Sequence, residues 1–74
     1  MSRLPTLTPA EILRVLKRAG FVEHHQKGSH LFLWSEVDKR MTTIAIHSKD
    51  MPRPVMKEIL KQAGITEKKF RDLL

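Results

Sequence analysis

Four histidines, His24, His25, His30 and His47, carry most of the chemistry open to this 74-residue chain, and His30 is the one its neighbours can aim. It closes the turn Lys27-Gly28-Ser29-His30 and opens the apolar run Leu31-Phe32-Leu33-Trp34, so a glycine turn hands it to the start of a strand. An imidazole there exchanges a proton near neutral pH, its unperturbed pKa being about 6.5. Other chemistries find less support. His24 and His25 are adjacent and diverge on a regular strand, and no HExxH, cysteine pair or carboxylate cluster accompanies the histidines, so neither a metal nor another cofactor is expected. The chain has no Walker loop, no Gly-x-Gly-x-x-Gly and no Gly-x-Ser-x-Gly, and Ser29 beside His30 lacks the orienting acid of a triad.

RNA cleavage requires less. The ribose 2′-hydroxyl attacks the adjacent phosphate, leaving the protein to move protons and to stabilise charge on the phosphorane. A histidine with cations around it meets that minimum. Lysine and arginine number 14 against 8 acidic residues, a net charge of +6 that favours a polyanionic partner, nucleic acid first and an acidic protein second. Lys27 adjoins the turn, Lys49 follows His47, and Arg53, Lys57 and Lys61 recur every fourth residue. Like charges at that spacing cost about 0.2 to 0.5 kcal/mol per pair, so the stripe is either used by a polyanion or is an ordinary solvated face.

The elements that must position these groups are legible. Thr8-Pro9-Ala10-Glu11 is a capping box with proline at the first helical position, and Ile12, Leu13, Leu16 and Ala19 form the apolar stripe, with Leu7 stapled onto Ile12. Gly20 ends this helix and Phe21 folds back on Leu16 in a Schellman ending. From Phe21 to His47 the period changes to alternation, which predicts three antiparallel strands near Phe21 to Gln26, Ser29 to Trp34 and Met41 to Ile46. A second helix begins at Arg53 or Pro54, buries Val55, Met56, Ile59, Leu60 and Ala63, and stops at Gly64. Thr66 caps a last short helix whose apolar side is Phe70, Leu73 and Leu74.

Register then fixes which side chains meet. Pairing Trp34 with Met41 sets Leu31 against Ile44 and Leu33 against Thr42, with Ile46 opposite Ser29. Leu31, Leu33, Ile44 and Ile46 then form the face that helices cover. His30, Phe32 and Trp34 project from the other face with Thr43, Ala45 and His47, and His47 becomes a diagonal neighbour of His30. If the first hairpin closes at Lys27-Gly28, His25 comes directly opposite His30.

A chain of this size forms one domain, residues 1–74, and buries only about 60% of the surface its unfolded form exposes, so function is expected on the surface. The absence of cysteine excludes a disulfide framework and suits a reducing compartment. No run reaches signal-peptide or membrane-spanning length, so the expectation is a soluble cytoplasmic protein with no membrane partner.

The succession of a helix, a hairpin with Gly28-Ser29-His30, a third strand ending in His47, Ile59-Leu60-x-x-Ala63-Gly64-Ile65 and Phe70 to Leu74 resembles the HicA mRNA interferase toxins from about Pro9 to Leu74. The Gly-Ser-His element is its specific part. The chain departs from common family patterns at Leu33, at Ala45 and at Pro54-Val55-Met56. The resemblance implies an α+β, double-stranded-RNA-binding-domain-like two-layer fold, helix, three-stranded antiparallel sheet and helix, plus a short C-terminal helix. It implies that His30 is the catalytic histidine, with Gly28 and Ser29 shaping its approach and His47 nearby, in a metal-independent endoribonuclease that cleaves mRNA. It also implies a HicB-like antitoxin as partner. On this reading Lys27, Lys49, Arg53, Lys57 and Lys61 hold RNA, and Phe32 and Trp34 face the antitoxin. The alternative is a non-catalytic module of the same fold that binds double-stranded RNA by shape and backbone charge.

Overall fold

The local signals around Thr8 are realised in full. Its hydroxyl accepts the Glu11 N–H at 3.3 Å while the Glu11 carboxylate accepts the Thr8 N–H at 2.9 Å, and helix α1 runs Pro9–Arg18. At its other end the Phe21 N–H donates to the Leu16 carbonyl at 2.9 Å and the Gly20 N–H to Lys17 at 3.1 Å, with Gly20 at φ +102°. This is the 6→1 and 5→2 pair of a Schellman ending. Phe21 is thereby delivered into the core, 1% exposed.

The computed structural model describes residues 4–46 and 49–74. After α1 come strands β1 (Val22–Lys27), β2 (His30–Ser35) and β3 (Arg40–Ala45), then helices α2 (Arg53–Ala63) and α3 (Glu67–Leu73). The strands form an antiparallel meander in the order β1-β2-β3. One face of the sheet carries Leu31, Leu33 and Ile44 into a core completed by Ile12, Val15 and Leu16 of α1, Met56, Ile59, Leu60 and Ala63 of α2, and Phe70 of α3. Among the described residues no helix covers the other face. This is the α+β arrangement expected from the sequence, with the element order of a double-stranded-RNA-binding-like domain.

Pairing of β2 with β3 follows the expected register: Leu31 faces Ile44, Leu33 faces Thr42 and Trp34 faces Met41, and the Ile46 N–H donates to the Ser29 carbonyl. The first hairpin differs. Lys27 pairs with His30 around the two-residue loop Gly28-Ser29, with Gly28 at φ +60°, and His25 therefore lies opposite Phe32 and not opposite His30. Gly28 takes the positive φ that primed hairpin turns require, which sets the turn one residue later than Lys27-Gly28. Ile46, expected in the core, lies just past β3 at 41% exposure and lines an apolar cleft of about 170 Å³ with Pro9, Ala10 and Leu13. Val55 and Leu74 are likewise more exposed than their stripes implied, at the margins of the helix faces.

Three core members escape the periodicity. Val15 fills the gap in the α1 stripe, while Leu4 and Met51 are buried from irregular segments. Arg53 Nε donates to the Leu4 carbonyl at 2.7 Å and the Met51 N–H to Leu7 at 2.8 Å, so the chain before α1 is tied to the start of α2. Among the described residues two polar ones, Ser35 and Thr42, are also buried. Ser35 Oγ accepts the Asp38 N–H at 3.2 Å, and the Thr42 hydroxyl lies 3.0 Å from the Gln62 side-chain oxygen and 3.3 Å from the Ile59 carbonyl. Satisfied in this way, they cost the core little.

The capping box yields a measurable expectation. Hydrogen bonds from the Thr8 backbone first, then its hydroxyl, hold the Glu11 carboxyl below its ordinary 4.5. A depressed carboxyl stabilises the fold above the unfolded-state value, and that contribution is lost as pH falls through the lower folded-state value. Thr8→Ala is expected to cost about 1 kcal/mol in urea denaturation at neutral pH. The gap from the unmodified protein should narrow once the medium is acid enough to protonate Glu11.

Candidate active site

Cross-strand pairing sorts the uncovered sheet face into three rows. Val22, Trp34 and Met41 form the first, His25, Phe32 and Thr43 the second, and Lys27, His30 and Ala45 the third. Directly opposed residues share a face with Cβ atoms about 4.5 to 5.5 Å apart, and diagonal neighbours lie about 7 to 8 Å apart. Lys27 is thus the immediate neighbour of His30, and His25 its diagonal neighbour. The His25 and Phe32 rings are in contact, centroids 5.7 Å apart and tilted by 38°.

Parity explains why His25 reaches this face. Counting back by twos from Lys27 would set Phe21 on the open face, whereas the end of α1 buries it. The conflict is absorbed at His24, where the ladder shifts between Glu23 and His25. Such a bulge adds one residue to one strand and re-aims its neighbours. Val22 is consequently 59% exposed beside Trp34, with Phe21 inside. The sequence assumption of a regular strand through His24 and His25 fails at this point.

His30, Lys27 and His25 are exposed, and among the described residues no hydrogen bond or ion pair engages their side chains. Their nitrogens are free to meet a substrate. Trp34 is different: its indole N–H donates to Glu36 at 3.1 Å. Glu36 also pairs with Lys39, and the Lys39 ammonium first and the indole second hold its carboxyl below the ordinary value.

The other candidates separate. Arg53, Lys57 and Lys61 stand on α2, whose buried side packs on the covered face of the sheet through Thr42 and Ile59, so the open face does not include them. Arg53 has, besides, the Leu4 carbonyl as partner. Lys49 is exposed in the connection before α2. His47 lies outside the described residues, as does the expected contact between it and His30. Among the described residues no three histidine, aspartate or glutamate side chains gather where a metal ion could be held. No helix among them is long and apolar enough to cross a membrane.

A family model described as the HicA toxin of bacterial toxin-antitoxin matches residues 9–65, from the first residue of α1 to just past α2. The chain belongs to the HicA toxin family. All three rows of the open face lie inside the matched span, as do the hairpin and the α2 lysines. Membership in HicA implies a partner within a toxin–antitoxin system. A search of curated proteins found no match.

Sequence reasoning found His30, Phe32 and Trp34 on one face, as the structure does, but put Lys27 in the turn, whereas Lys27 ends β1 on that same face opposite His30. It left the position of His25 conditional on the turn. The parity conflict between a buried Phe21 and an outward Lys27 was the signal available for the bulge that sets it.

Proposed function

We propose that this HicA chain is a metal-independent endoribonuclease that cleaves mRNA, with His30 as its catalytic histidine and a HicB-like antitoxin as its natural inhibitor. The observation that carries this reading is an unengaged imidazole directly across from a lysine on an uncovered sheet face, in a chain of a toxin family. The 2′-hydroxyl supplies the nucleophile. His30 takes up its proton as general base, and Lys27 stabilises charge on the non-bridging oxygens. Gly28 and Ser29 set the path of the turn that presents His30. Lys49, Arg53, Lys57 and Lys61 would hold flanking phosphates beyond the sheet edge, with His47 in a supporting role. Phe32 and Trp34 beside His30 offer the antitoxin an apolar surface whose covering also screens the imidazole.

The test is direct. Purified protein incubated with mRNA in EDTA is expected to yield fragments ending in a 2′,3′-cyclic phosphate, or its hydrolysis product, beside a 5′-hydroxyl. A co-purified HicB-like partner should suppress them. Cleavage abolished by chelation would reject the mechanism, and salt-sensitive binding of duplex RNA without products would favour the non-catalytic alternative.

A further inference from the structure

The open face holds a second imidazole for which the reaction described above has an unfilled place. Forming the 2′-O–P bond breaks the P–O5′ bond, and the two oxygens lie on opposite sides of phosphorus. A proton must leave the 2′-oxygen at one end, and another must reach the departing 5′-oxygen at the other. Each proton-handling group stands one hydrogen bond, about 2.6 to 3.2 Å, from its oxygen. The two groups must therefore be held apart on one surface and not in contact.

His25 and His30 meet that requirement. They occupy adjacent strands and the same face, because His25 pairs with Phe32 and Lys27 with His30. The backbone positions of diagonal neighbours of this kind are separated by about 7 to 8 Å, so the two side chains rise from the face apart and a phosphodiester can be bound between them. Lys27 stands beside both, two residues from His25 along β1 and directly opposite His30. Its ammonium can reach the non-bridging oxygens of a phosphate bound between them. The β3 residues on this face, Met41, Thr43 and Ala45, bring no charge. Lys27 and the neighbouring bulge residue His24 are thus the charged or titratable groups adjoining the pair among the described residues.

We infer that His25 is a second catalytic residue, the general acid that protonates the 5′-oxygen as His30 takes the proton from the 2′-hydroxyl. The Phe32 ring against His25 suits this role, since an aromatic ring attracts a cation and an imidazolium is what must wait there. The step balances without any co-reactant. One proton passes to His30 and one leaves His25, the P–O5′ bond is exchanged for a 2′-O–P bond, and the products are a 2′,3′-cyclic phosphate and a 5′-hydroxyl. The bulge at His24 then has a use besides burying Phe21, because it allows Phe21 to enter the core with His25 still outward beside His30.

The inference rests on the nuclease reading, and the test keeps the two apart. Wild type, His25→Ala, His25→Gln and His30→Ala are compared on one oligoribonucleotide with a normal 5′-oxygen and on its twin with sulfur bridging at that position. A thiolate departs without protonation. Both His25 variants are expected to cleave the oxygen substrate at least about a hundredfold more slowly than wild type, and to approach the wild-type rate on the sulfur substrate. His30→Ala should stay slow on both. The fall in rate on the alkaline side of the pH–rate profile, which deprotonation of a general acid produces, should also vanish in the His25 variants. Wild-type rates for His25→Ala on the oxygen substrate, or equal slowing on both substrates, would overturn the assignment to His25 alone. Failure of the wild-type chain to cleave either substrate would overturn the nuclease reading with it.

Discussion

His30→Ala is expected to lower RNA cleavage by about a hundredfold to ten-thousandfold, the range a positioned proton-transfer group contributes. The variant should remain folded, because His30 projects from the uncovered face and its removal leaves no core cavity. RNA affinity should change little, since phosphate contacts from lysine and arginine dominate it. Growth arrest on expression should disappear while antitoxin binding persists. Circular dichroism, a filter-binding titration and single-turnover cleavage of a labelled transcript would report these properties separately. Full cleavage by a verified His30→Ala preparation would remove His30 from the mechanism and leave the fold untouched.

Leu33→Ala is expected to have the opposite profile. Leu33 lies between Phe32 and Trp34 in sequence but points through the sheet into the core, where it is fully buried. Truncating such a leucine typically costs about 2 to 5 kcal/mol. A chain of 74 residues has a total stability of about 4 to 11 kcal/mol at 0.05 to 0.15 kcal/mol per residue. The substitution should therefore consume much of that margin and shift the urea midpoint strongly downward. Activity per folded molecule should be retained at low temperature, because no group of the open face is altered. A normal urea midpoint would show that β2 does not sit in the core as described.

The contrast between these neighbouring positions was legible in the sequence because alternation in Leu31-Phe32-Leu33-Trp34 assigns each side chain to a face. Helix limits were legible for a similar reason: Thr8 with Glu11, Gly20 with Phe21, Gly64 and Thr66 each satisfy backbone groups that a helix end leaves open. The β2–β3 register followed from burying Leu31, Leu33 and Ile44 together. Less local features were hidden. Nothing in Glu23-His24-His25 marks which residue is supernumerary, since all three are polar and exposed on an edge strand. The buried Leu4 and Met51 lie in irregular segments, where no period exists to read. The place of Arg53 as a clasp on the Leu4 carbonyl depends on two chain segments 49 residues apart. For the candidate site, the sequence named His30 and its face, but the neighbours of His30 depended on the hairpin turn and the bulge, which are properties of the assembled sheet.

Trp34 is the sole tryptophan, and the chain has no tyrosine. Long-wavelength ultraviolet excitation therefore reads one indole, situated on the open face two rows from His30 and beside the exposed Val22 and Met41. Its N–H partner Glu36 is held ionised to below the ordinary carboxylate range, so that bond does not change across the neutral region where imidazoles titrate. A blue shift and loss of acrylamide quenching would then register the face being covered by protein, and stacking of a base would register as a fall in emission. The molecule carries its own optical gauge of occupancy, able to time without any label the arrival and departure of whatever covers this face, and so to test the proposed partners.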